Sequence, residues 1–112
     1  MSDLAKRKCI PCEDGQTRHL LAAEITNLLS ELDHWEFEEF HHLAKTFTFK
    51  DFREALLFTN KVGEIAEAEG HHPDIYVTWG KVKIKIYTHS IDGLSENDFI
   101  LAAKIDEIML PD

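Results

Sequence analysis

The stretch that decides the fold is DIYVTWGKVKIKIY, from Asp74 to Tyr87. Ile75, Val77 and Trp79 alternate with Asp74, Tyr76 and Thr78. After a turn at Gly80-Lys81, Val82, Ile84 and Ile86 alternate with Lys83, Lys85 and Tyr87. A period of two marks a strand with one buried face, and two such runs joined by a glycine-containing turn make a β-hairpin. Its apolar side is expected under helices, with its lysines facing out.

The chain enters this hairpin through Gly70-His71-His72-Pro73. Glycine is the commonest residue to end a helix in the left-handed conformation, and proline drives the residue before it toward an extended backbone. His71 and His72 are therefore expected at a stiff corner where a helix gives way to a strand, at the rim of the sheet and not in its core. Beyond the hairpin comes His89. Strict alternation puts it on the lysine side, but a strand end can turn, so periodicity leaves its direction open. Asp98 follows on the first turn of a helix capped by Ser95. Imidazole titrates near neutral pH, so three histidines with Glu67 and Asp98 make a plausible acid–base site. Glu67 sits in the last turn of its own helix, where the dipole disfavours a lone carboxylate, and a neighbouring histidine would serve as its partner.

Working outward, Thr17 to Leu32 carries Leu21, Ile25, Leu28, Leu29 and Leu32 at helical spacing, with His19 near its start read as a solvated residue. Trp35 and Phe37, then Leu43, Lys45, Phe47 and Phe49, alternate with polar or small residues and predict a second hairpin. His41-His42 is another histidine pair. Alternation along one strand sends its rings to opposite faces, which predicts surface or turn histidines and not co-ligands. Asp51 with Glu54 opens a helix in a capping-box arrangement. Its core stripe reads Phe52, Ala55, Leu56, Thr59, Val62, Gly63 and Ala66, with Gly63 suggesting the close approach of another element. Phe58 and Ile65 fall off that stripe. The last helix presents Phe99, Leu101, Ala102, Ile105, Ile108 and Met109. Together these elements predict an α+β fold: a four-stranded antiparallel sheet with helices packed on one face.

The 112 residues fit one domain, taken as residues 16–112 behind an irregular or weakly docked arm, 1–15. A net charge of −9 disfavours nucleic-acid binding, since an anionic polymer would be repelled. No run approaches membrane-spanning length, which predicts a soluble cytoplasmic protein. Cys9 and Cys12 are the only cysteines. Without further ligands at matching spacing they read as an inert pair in the arm and not as a redox or zinc site.

The spacing Glu67, three residues, His71-His72-Pro73, five residues, Trp79, nine residues, His89, eight residues, Asp98 closely resembles the pterin-4a-carbinolamine dehydratase family. The flanks Asp74-Ile75, Thr88 and Gly93-Leu94-Ser95 agree, and the resemblance runs from about Trp35 to Ile108. It implies a four-stranded sheet and homodimers or homotetramers, for which Phe58, Ile65 and Ile100, off their core stripes, are candidate contacts. It also implies a site free of metal and cofactor that dehydrates 4a-hydroxytetrahydropterin to quinonoid dihydropterin, recycling the pterin used by aromatic amino-acid hydroxylases. Carried over residue by residue, His71 and His89 transfer protons, Glu67 and Asp98 orient or activate them, and His72, with Pro73 and Trp79, holds the pterin.

Each of these residues also has a plainer reading. Asp98 could complete a Ser-x-x-Asp capping box, Pro73 could start a strand, Trp79 could be core, and the histidines could be exposed turn residues. Two rival functions stand beside the enzyme. Three histidines and an aspartate could bind a metal, although His-x-His and His-x-x-x-His are absent from the motif. The fold could instead serve as a protein-interaction module, since vertebrate members of the family also bind a homeodomain transcription factor.

Overall fold

The structure, a computed structural model, describes residues 4–9 and 18–109. The chain forms helix α1 (Ala22–Leu29), strands β1 (Glu36–Glu38) and β2 (His42–Thr48), and helix α2 (Phe52–Glu69). Strands β3 (Asp74–Val77) and β4 (Lys81–Ile86) and helix α3 (Glu96–Ile108) follow. The strands make one antiparallel sheet in the order β1-β2-β4-β3, with the three helices packed against it. This is the α+β architecture expected from the alternation of the two hairpins.

The sheet is built on the register of β2 with β4, in which Leu43 faces Ile86, Lys45 faces Ile84 and Phe47 faces Val82. Val82, Ile84 and Ile86 are fully buried, while Lys81, Lys83 and Lys85 line the other face. Lys45 shares the core face, and a cation there needs partners. It finds them at the rim: Nζ donates to Asp106 Oδ1 at 2.8 Å and to the Asp33 carbonyl at 2.6 Å. Trp35 Nε1 donates to the same carboxylate at 3.0 Å.

Helix α3 is buried nearly all round, including Phe99, Ile100, Leu101, Ala102 and Ala103 in succession. Residues Leu4–Lys6 account for this. They form a 3-10 turn packed on α3, with Leu4 fully buried and Lys104 Nζ donating to the Ala5 carbonyl at 2.7 Å. This part of the arm was expected to be irregular. Cys9 follows it, half-buried, with its N–H on Glu69 at 2.9 Å. Burial first, then the neighbouring Glu69 carboxylate, pushes its thiol up to about 12, so the thiolate is suppressed. Cys12 lies outside the described residues.

Several expectations are corrected. Helix α1 spans Ala22–Leu29, shorter than the helix expected from Thr17 to Leu32, of which Thr17 lies outside the described residues. Along α2 the buried residues are Ala55, Phe58, Val62 and Ala66, whereas Phe52 and Leu56 are exposed, so the buried face is rotated from the stripe read in the sequence. Phe58 and Ile100, expected as candidate contacts between copies, are instead buried in the core, while Ile65 is half-buried against it. A Cβ at Gly63 would meet nothing within 4 Å, so no neighbour demands glycine there. Gly93 is different, because a Cβ would fall 2.7 Å from the His19 imidazole.

Candidate active site

The site begins where α2 stops. Asp51 starts the helix by accepting the Glu54 N–H at 2.9 Å. Gly70 ends it at φ 65°, ψ 29°, a left-handed conformation that glycine adopts without a Cβ penalty. The His71 N–H returns to the Ala66 carbonyl at 3.2 Å, which fixes the corner. From this corner the two adjacent imidazoles diverge. His72 turns outward, and its Nε2 meets Glu67 Oε2 at 2.5 Å, both side chains being exposed. This is the local partner that Glu67 required.

His71 turns inward, correcting the expectation of a rim position, and is only 5% exposed. Its Nε2 lies 2.7 Å from Oδ1 of the fully buried Asp98. Asp98 Oδ2 accepts from the Thr88 hydroxyl at 2.9 Å and from the Ser95 N–H at 2.8 Å. The Thr88 proton is committed to the carboxylate, so in the 2.7 Å contact between Thr88 Oγ1 and Ser95 Oγ the serine donates. Asp98 thus completes the capping box that Ser95 opens at the start of α3 and is also the hydrogen-bond partner of His71. Nε2–H donation to Asp98 sets the His71 tautomer and leaves Nδ1 as the unprotonated ring nitrogen.

Antiparallel pairing of β3 with β4 puts the entry to β3 and the exit from β4 at the same end of the sheet. Thr88, bound to Asp98, immediately precedes His89, so the backbone of His89 is tied to the His71–Asp98 pair. His89 opens a 3-10 turn, His89–Ile91, whose base is closed by the Thr88 N–H donating to the Gly93 carbonyl at 2.8 Å. Its exposed ring packs on Tyr87, with centroids 4.2 Å apart. Pro73 leads into β3 and is half-buried. Trp79 is not brought to this corner. It lies in the turn at the opposite end of the hairpin, 69% exposed and not core, roughly 20 Å away at the usual strand rise.

The second histidine pair also departs from expectation. His41 belongs to the turn between β1 and β2, so strand alternation does not separate it from His42. The two Nδ1 atoms are 3.2 Å apart, and His42 is buried. Among the described residues, no cluster of three or more His, Cys, Asp or Glu side chains is placed to hold a metal ion. No helix among them is long and apolar enough to cross a membrane. Thr88 entered the sequence reading only as a flank of the motif. Its hydroxyl proves to be the link between Asp98 and the His89 turn, and the Thr-His dipeptide ahead of Ser-x-x-Asp is the signal for it.

The family model for pterin 4 alpha carbinolamine dehydratase matches residues 18–108. A candidate pterin-4-alpha-carbinolamine dehydratase of Alkaliphilus metalliredigens is 53% identical over 96% of each chain. One of Rubrobacter xylanophilus is 48% identical over 96% of this chain and all of its own. The crystal structure of a transcriptional coactivator/pterin dehydratase from Brucella melitensis superposes with a TM-score of 0.77. It is 30% identical and covers 81% of this chain and 98% of its own. On the strength of sequence and fold together, this chain belongs to the pterin-4a-carbinolamine dehydratase family of hydro-lyases.

Proposed function

We propose that the protein dehydrates 4a-hydroxytetrahydropterin to quinonoid dihydropterin, and that His71 and His89 carry the protons. The C4a–O bond breaks as the departing hydroxyl takes a proton and leaves as water. The proton on the adjacent ring nitrogen is lost, and the C4a=N double bond forms. Nothing is oxidised or reduced, so histidines with partner carboxylates suffice. The observation that carries the reading is the buried His71–Asp98 pair, with Thr88 and Ser95 also donating to the carboxylate. A module that used the fold only for protein contacts would have no need of a buried imidazole held in one tautomer.

In this reading Asp98 orients His71, Glu67 orients His72, and His72 with Pro73 holds the pterin. If Trp79 contacts substrate, as the motif implies, it does so away from the corner described for its own chain. Exposed Phe52, Leu56 and Leu57 on α2 support a homodimer or homotetramer. We place the reaction in the cytoplasm, in service of an aromatic amino-acid hydroxylase. The test is an assay on carbinolamine generated in situ by such a hydroxylase, with and without a strong chelator. Acceleration insensitive to the chelator is expected. No acceleration contradicts the proposal, and loss restored by zinc moves the metal reading ahead of it.

A further inference from the structure

His89 is exposed and sits on a three-residue turn, yet a proton-transfer group must keep one orientation. What restrains it comes from the loop joining β1 to β2. Glu39 and Phe40 both adopt positive φ, 55° and 52°, and the His41 N–H closes the turn on the Glu38 carbonyl at 3.0 Å. The register pairs Glu38 with His42, so His41 is the extra residue of the loop, freed from strand alternation.

Two contacts run from His41 to the His89 turn. Its ring lies on Tyr87, with centroids 4.4 Å apart, and Tyr87 in turn lies on His89 at 4.2 Å. Its Nε2 meets Asp92 Oδ1 at 2.7 Å. Asp92 ends the His89 turn at φ 50°, with its N–H on the His89 carbonyl at 3.2 Å. His41 therefore grips the turn from both ends, through a ring stack and through a carboxylate. His41 is itself held by His42, which is 2% exposed and has its Nε2 on Glu38 Oε1 at 3.2 Å. Lys83 Nζ stands 3.7 Å from the same carboxylate oxygen.

We infer that His41 is a positioning residue for His89, acting through Tyr87 and Asp92. The inference rests on the proposed dehydratase reading for its kinetic consequence but not for its structural one. His41→Ala is expected to lower kcat by about tenfold, since small misplacements of a reacting group are costly, with KM little changed. His41→Phe, which keeps the stack, should recover part of the loss. His41→Ala/Tyr87→Ala should lose less than the two single losses combined, because the two rings share one stack, while the lost Asp92 contact keeps it below Tyr87→Ala alone. The NMR signals of the His89 ring report independently of catalysis. The Tyr87 ring current should shift them in the wild type, and they should move toward the free-histidine position in folded His41→Ala. If the wild type proves to lack dehydratase activity, the function fails but the ring signals still decide the inference. Unchanged His89 signals in a folded His41→Ala protein overturn it, as does a kcat equal to wild type in an active enzyme.

Discussion

Two histidine pairs stand in this chain with the same dipeptide and opposite geometry. At His71-His72 the left-handed Gly70 and the following proline splay the rings, one into the core onto Asp98 and one outward onto Glu67. At His41-His42 a tight turn through two non-glycine residues of positive φ brings the two Nδ1 atoms within 3.2 Å of each other. Neighbours in sequence become separate tools or a single support according to the backbone corner that carries them. A splayed pair can address a substrate with two differently set imidazoles. A converged pair spends its nitrogens on each other and on Asp92 and Glu38, and is suited to holding something else.

The sharpest way to break this comparison is at His71. His71→Ala should lower kcat on the order of 10²- to 10⁴-fold and also cost about 1–3 kcal/mol of stability, because a buried Asp98 oxygen loses its donor. His71→Gln, with an N–H donor for Asp98, should regain stability without regaining rate. A wild-type rate in either folded variant would make the inward pair structural. Asp98→Asn comes next. The amide cannot accept from His71, Thr88 and Ser95 together, so kcat should fall more than KM rises, with a lower melting temperature by calorimetry.

The outward ring should behave differently. His72→Ala is expected to raise KM with less change in kcat and to leave the melting temperature alone, since the side chain is exposed. A stability loss equal to that of His71→Ala would erase the distinction between the two rings. The smallest effect belongs to Glu67→Gln. An exposed pair is worth about 0–1 kcal/mol, so denaturant melts should barely move, and only pterin affinity should register the change.

How much of this was legible follows from the same contrast. The β3–β4 hairpin was readable because every second residue from Val82 to Ile86 is aliphatic and every other one is lysine. The corner at Gly70-His71-His72-Pro73 was readable because glycine and proline each state a backbone conformation. The turn at Glu39-Phe40 carries no such residue, so its positive φ values, and with them the convergence of His41 on His42, had no local signal. Helix α2 was misphased for another reason. Phe52, Leu56, Leu57 and Phe58 put apolar groups around much of its circumference, and only packing against the sheet and α3 selects which are buried. Ile100 looked like a surface contact because nothing in α3 itself announces that Leu4 and its turn pack on that helix.

The central claim is that His71, set by Asp98, and His89 on its tethered turn move the protons of a dehydration. The most direct test is the dehydration rate of freshly generated 4a-carbinolamine with the His71→Gln/His89→Ala double variant, checked as folded by circular dichroism, beside wild type and buffer. The account predicts clear acceleration by wild type and a rate near that of buffer for the double variant. A folded double variant as fast as wild type would contradict it.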